Sequence, residues 1–173
     1  MMKIGNTLII ASDIHGSAYY CKKLMEAYEK EGVKSLILLG DILYHGPRND
    51  LPRDYSPKEC IKMLNSIADN IVCMQGNCDA EVDQMVLNFP INPGYLYLKH
   101  IASGRVFIIT HGHHINTETM AQHKKGDILV HGHTHVPCIE EKVAKIKSKI
   151  MIWELMTECK NDSLLCDNFD FEP

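Results

Sequence analysis

An aspartate and a histidine two residues apart stand in Ser12-Asp13-Ile14-His15-Gly16, where carboxylate and imidazole can turn toward a single cation. Read alone, Asp13 serves equally as the cap of a following helix. Leu39-Gly40-Asp41-Ile42 offers a second acid whose carboxylate can bridge two cations, or serve as an ordinary turn aspartate. Gly76-Asn77-Cys78-Asp79 adds an amide, a thiol and a third carboxylate, and Asp79 also has the position of a cap for a segment starting at Glu81. Thr110-His111-Gly112-His113 and Gly132-His133-Thr134-His135 repeat a His-x-His spacing that suits metal ligation, core histidines or a turn. Histidines crowd between His111 and His135, and no packing rule asks for that density. The clusters gain meaning together, because they supply enough oxygen and nitrogen for two divalent cations with octahedral or near-octahedral preferences.

Each cluster follows an apolar run, and the runs predict the elements that position them. Strands are expected at Thr7 to Ser12, Ser35 to Leu39, Asn70 to Met74, Val106 to Thr110 and Ile128 to His131. They lack strict alternation, as strands covered on both faces do. Tyr20, Leu24, Ala27 and Tyr28 recur at helical spacing, and Gly32 follows as a stop. Ser56-Pro57-Lys58-Glu59 has the capping-box spacing with proline at the first helical position, which predicts a second helix from Pro57 to Ala68. Tyr95 to Val106, with Gly104 in its turn, reads as a hairpin, so the later half is expected to be more antiparallel. The resulting class is α/β with helices against central sheets, and its sites fall at strand C-terminal ends.

Composition bounds the rest. A chain of 173 residues fits one domain, and 45% apolar with 23% charged residues is ordinary for a globular protein. A net charge of −4 without a Lys/Arg block gives no strong nucleic-acid signal. Seven cysteines without a Cys-x-x-Cys pair suggest neither a disulfide framework nor a zinc knuckle. The apolar stretch Leu8 to Ala11 is too brief for a signal peptide or membrane span, so the cytoplasm is the expected compartment. Homo-oligomerisation is left open.

The ordered set Asp-x-His, Gly-Asp, Gly-Asn-x-Asp, His-Gly-His and Gly-His-x-His, from Ile9 to Pro137, resembles the calcineurin-like metallophosphoesterase superfamily. Leu39 to Asn49, Gly76 to Asp79 and Glu81 to Met85 are similar to the YfcE-type bacterial phosphodiesterases within it. The resemblance implies a two-sheet β-sandwich flanked by helices, with a binuclear metal site at one end. It implies Asp13, His15 and His135 on one ion, Asn77, His111 and His133 on the other, and Asp41 between them. Mn²⁺ is the leading ion, with Mg²⁺, Zn²⁺, Ni²⁺ and Fe²⁺ as alternatives. The implied activity is hydrolysis of a small phosphate ester, a phosphodiester above a monoester, with Asp41, Asn77, Cys78 and Asp79 in the catalytic machinery. His45, Arg48 and His113 are implied as substrate contacts, and His100, His114 and His123 are expected at the surface.

Two departures from the family pattern carry consequences. Many members have a histidine where Cys78 stands, and a thiol of ordinary pKa near 8.5 is a poor general acid at neutral pH. Strong leaving groups are therefore favoured, with Asp79 orienting Asn77 or Cys78. No Asn-Pro-Gly-Ser turn occurs between Cys138 and Pro173, which implies a shortened or rebuilt end of the second sheet. The catalytic domain is drawn at 1–156, Ile150 to Trp153 is expected as a strand, and 157–173 is set apart as a tail. A second class stays open: a retromer subunit shares this fold and serves as a non-catalytic protein-interaction scaffold.

Overall fold

The computed structural model describes residues 8–100, 104–119, 123–124 and 126–136, with the backbones of 142–143 and 149–150. The five expected strands form, β6 (Val106–Thr110) over its full range and the others with trimmed ends: β1 (Ile9–Ala11), β2 (Leu36–Leu38), β3 (Ile71–Met74) and β7 (Ile128–Val130). Two more strands, β4 (Ile91–Asn92) and β5 (Tyr95–Lys99), complete two sheets of order β1-β2-β3-β4 and β5-β6-β7. The pair β8 (Lys142–Val143) and β9 (Lys149–Ile150) is antiparallel. Ile150 thus ends a strand, while the rest of the expected strand and the 157–173 tail lie outside the described residues.

The missing polar–apolar alternation has a direct cause, since successive side chains of the inner strands enter two different cores. Leu36 and Leu38 of β2, with Cys73 and Ile71 of β3, pack toward the helices. Ile37, Leu39 and Met74 point the other way, onto Ile109, Ile128 and Val130 of the second sheet. That second core makes the architecture the expected two-sheet sandwich. Leu36, Ile37 and Leu38 are all fully buried, each contributing about 1.5–3 kcal/mol relative to exposure.

The first sheet is parallel throughout its described pairs. The β5–β6 hairpin is antiparallel as expected, but β6 and β7 run parallel, so the later half is mixed. Helix α1 (Ala18–Glu31) starts with the Ser17 hydroxyl accepting the Tyr20 N–H at 3.3 Å. It ends at Gly32, whose φ of 60° closes the last turn. Helix α2 (Pro57–Asn65) is shorter than the expected Pro57 to Ala68, because the chain tightens into a 3-10 turn at Ala68–Asn70. Proline opens it as expected, but the Ser56 side chain makes no capping bond. Cys21, Cys60 and Cys73 are buried members of the helix-side core.

Candidate metal centre

All five strand-end clusters meet at one edge of the sandwich. The loops are stitched by backbone bonds: Asp13 N–H to Gly40 O at 3.0 Å, His15 N–H to Asp41 O at 2.9 Å, and Gly132 N–H to His111 O at 2.9 Å. Asp13, His15, Asp41, His133 and His135 all have positive φ, between 49° and 80°. Non-glycine residues rarely adopt this conformation, at about 1–2 kcal/mol each, and it concentrates at functional sites. The loops also approach one another closely. A Cβ on Gly76 would strike the Asp41 carboxylate, and one on Gly132 would strike Ser12 Oγ and Asp13 Oδ2.

His15 donates from Nδ1 to the Tyr44 carbonyl at 2.6 Å, so its Nε2 lone pair faces inward. There it meets His135 Nε2 at 3.0 Å, with Asp13 Oδ1 at 3.7 Å from His15 Nε2 and 3.2 Å from His135 Nε2. His111 donates from Nδ1 to the Leu39 carbonyl at 3.1 Å, and its Nε2 meets Asn77 Oδ1, itself an acceptor, at 3.0 Å. At each place a proton or a cation must lie between facing lone pairs. Neighbouring ligands at right angles around an ion, with bonds of about 2.1 Å, stand about 3 Å apart. The spacing fits a cation.

Asp41 joins the two places. Its Oδ1 accepts the Cys78 N–H at 2.7 Å, while Oδ2 lies 3.6 Å from His15 Nε2 and 3.4 Å from His111 Nε2. Among the described residues, ligand atoms within 4.8 Å of one another occur in three groups: Asp13-His15-His135, Asp41-His111-His133 and His15-Asp41-Cys78. His133 is exposed, and its backbone N–H donates to Asp13 Oδ2 at 3.0 Å.

The electrostatics suit cations. Burial would raise Asp13 and Asp41, yet the imidazoles of His135 and His15 beside Asp13, and of His111 beside Asp41, hold both carboxyls below their usual range. Burial opposes charge on His15 and His111, but the same carboxylates win and raise both imidazoles. Burial and the charge of His111 lower His113 and His133. Burial, together with Asp41, pushes the Cys78 thiol up to about 12.

Asp79 has a different task from either sequence expectation. It neither caps the Glu81–Met85 turn, where Asp83 takes the Ala80 N–H, nor holds the side chain of Asn77 or Cys78. Its carboxylate accepts the N–H groups of Asp41, Ile42 and Gly76 at 2.8, 2.8 and 2.7 Å, bracing two strand-end loops. Burial raises its pKa, and the three backbone bonds pull it back only in part. The Asn77 amide is instead oriented by its neighbour, donating from Nδ2 to Cys78 Sγ at 3.2 Å.

Of the expected substrate contacts, His113 packs against His111 and His133, with ring centroids 5.2 and 6.2 Å apart. His45 packs between Tyr44 and Tyr55, and Arg48 is exposed on the same loop. His100 and His114 are exposed as expected, whereas His123 is half-buried. Sequence reasoning missed His131, which is buried and donates from Nδ1 to the Gly132 carbonyl at 2.8 Å. It also missed the Tyr44 and Leu39 carbonyls that fix the two inward-facing imidazoles.

The two-sheet fold with this edge of oxygen and nitrogen ligands defines a metal-dependent hydrolase, and the chain belongs to the calcineurin-like phosphoesterase superfamily, whose family model matches residues 6–152. Among its relatives, Phosphodiesterase YfcE of Escherichia coli (strain K12) is 42% identical over 135 residues, 78% of this chain and 72% of the relative. The solved structure of YfcE from E. coli matches with a TM-score of 0.78 at 37% identity, covering 85% of this chain and 77% of that one. Phosphodiesterase MJ0936 of Methanocaldococcus jannaschii is 28% identical over 155 residues, 81% of this chain and 77% of the relative. The chain is a phosphoric ester hydrolase of a divalent-metal-dependent family, and nothing favours the non-catalytic scaffold. Among the described residues, no helix is long and apolar enough to cross a membrane.

Proposed function

We propose that the protein is a cytoplasmic phosphodiesterase using two divalent ions, Mn²⁺ foremost, on a small phosphate ester, with the catalytic domain at 1–156 and an appended tail. The observation that carries it is the pair of facing lone-pair sites, His15 with His135 and His111 with Asn77, joined by Asp41 Oδ2. Asp13, His15 and His135 would hold one ion, Asn77, His111 and His133 the other, and Asp41 both. When bound, such ions supply an activated water and neutralise charge on the phosphoryl oxygens. The chain's own part is to fix these ligands: Tyr44 and Leu39 set the tautomers of His15 and His111, Asp79 braces the Asp41 loop, and Cys78 orients the Asn77 amide. His113, His45 and Arg48 are assigned to the substrate. Phosphodiester preference is carried over from the relatives named above.

Metal analysis of the purified protein followed by chelation tests this directly. Hydrolysis of an aryl phosphodiester is expected to vanish on chelation and return with added Mn²⁺; activity indifferent to chelator would refute the proposal. Cation uptake should also weaken as pH falls. His15 and His111 have raised pKa values, so protons compete for their Nε2 atoms from higher pH than for an ordinary imidazole. Calorimetric Mn²⁺ titrations across pH measure this.

Cys78 bears on the leaving group. A thiol pushed up to about 12 cannot protonate a departing alkoxide effectively at neutral pH, whereas an aryl oxide needs no proton. Missing general-acid assistance typically costs about 10²–10⁴-fold, so the aryl-to-alkyl rate ratio should be large in the wild type. Cys78→His is expected to reduce that ratio, and Cys78→Ala, which loses only a weak N–H···S contact from Asn77, should cost little on the aryl diester. A collapse of aryl turnover in Cys78→Ala at unchanged metal content would show that the thiol takes part directly.

A further inference from the structure

The segment from Tyr44 to Tyr55 does more than carry His45 and Arg48. The Tyr44 carbonyl turns inward to hold His15 at 2.6 Å, while the residue itself is 42% exposed. His45 stands edge-to-face with Tyr44 on one side, at 4.8 Å, and with Tyr55 on the other, at 5.3 Å. Tyr55 lies against Gly16, the residue after His15, so closely that a Cβ there would meet its ring at 2.6 Å. An aromatic row therefore lies beside one group of metal-ligand candidates and includes an exposed ring, Tyr44. At its other margin, a Cβ on Gly46 would lie 3.2 Å from Cys78 Sγ, so Tyr44 to Gly46 reaches from His15 to Cys78.

The backbone that carries the row is held in place. Ser17 Oγ donates to Arg53 O at 2.6 Å, Ala18 N–H to Asp54 O at 3.0 Å, Ser56 N–H to Gly16 O at 2.8 Å, and Asn49 Nδ2 to His45 O at 2.9 Å. His45 Nδ1 is enclosed with no hydrogen-bond partner among the described residues, so that edge of the ring is not spent on the protein. An aromatic ring packed edge-to-face on its neighbour with an exposed surface is a stacking platform for a flat group.

We propose that Tyr44, His45 and Tyr55 form a subsite for a planar aromatic substituent on the phosphate ester, which makes aryl or nucleoside esters the substrate class. This rests on the phosphodiesterase reading above. The test uses the full-length chain with saturating Mn²⁺, hydrolysing an aryl phosphodiester, and compares competitive inhibition by methyl phosphate, phenyl phosphate and adenosine 5′-monophosphate. The aromatic phosphates are expected to bind about tenfold more tightly than methyl phosphate, a preference typical of one stacked ring. Tyr44→Ala should erase it and Tyr44→Phe should keep it. The Tyr44 bond to His15 comes from the backbone, so neither variant removes it.

A preference for phenyl phosphate alone supports the subsite and assigns aryl esters; a preference for both aromatic phosphates extends it to nucleosides. Equal inhibition by all three in the wild type, or an undiminished preference in Tyr44→Ala, would overturn the subsite while leaving the hydrolase intact. Absence of any hydrolysis, with none of the three phosphates bound in a calorimeter, would overturn the phosphodiesterase reading and the subsite with it.

Discussion

Asp41→Asn is expected to lower aryl phosphodiester turnover by about 10³-fold or more at saturating Mn²⁺, with the fold intact. Asp41 stands at φ 55°, and asparagine is one of the few residues that accepts this region readily, so the backbone has little reason to move. The amide oxygen can still accept the Cys78 N–H. What disappears is the negative charge at Oδ2, between His15 and His111. Ion-based charge stabilisation is worth several kcal/mol, and each 1.36 kcal/mol is tenfold in rate. His133→Ala is a companion that removes an exposed side chain. Both variants should lose at least one ion by metal analysis and keep a cooperative melting curve; full activity in either would refute a two-ion centre.

Asp79→Ala should act on stability before activity. It removes the acceptors of three backbone N–H groups and leaves those donors at a buried loop junction. An orphaned buried donor costs about 1–3 kcal/mol, and partial access of water to the new cavity reduces the sum to about 4 kcal/mol. For a domain of this size that is a fall in Tm of about 10 °C. Asp79→Asn should fall between, because its amide keeps one oxygen and turns a donor toward a donor. An unchanged Tm in Asp79→Ala would mean that the loops hold without the carboxylate.

Much of the ligand set was legible because each strand-end cluster puts chemistry-bearing side chains directly after an apolar run, and Asp13, His15, Asp41, Asn77, His111, His133 and His135 do gather at one edge. The sandwich needed the family resemblance. Leu36 to Leu39 reads as an unbroken apolar run, and only the two separate cores show that its alternate residues face different layers. The task of Asp79 was illegible because its partners Asp41 and Ile42 are distant in sequence and are backbone groups that every residue carries. The Tyr44 and Leu39 carbonyls were hidden for the same reason. The parallel run of β6 and β7 was missed because a hairpin signal speaks only for the strands it joins.

The left-handed backbone at Asp13, His15, Asp41, His133 and His135 sets two selective pressures against each other. Glycine relaxes such a position without strain but carries no ligand. At the exposed His133, where no buried hydrogen bond is lost with the side chain, a library sorted for heat resistance of the metal-free protein would drift toward glycine, and one sorted for turnover would purge it. Heat-resistant variants enriched without a catalytic filter would thus come disproportionately from chains that had discarded their chemistry.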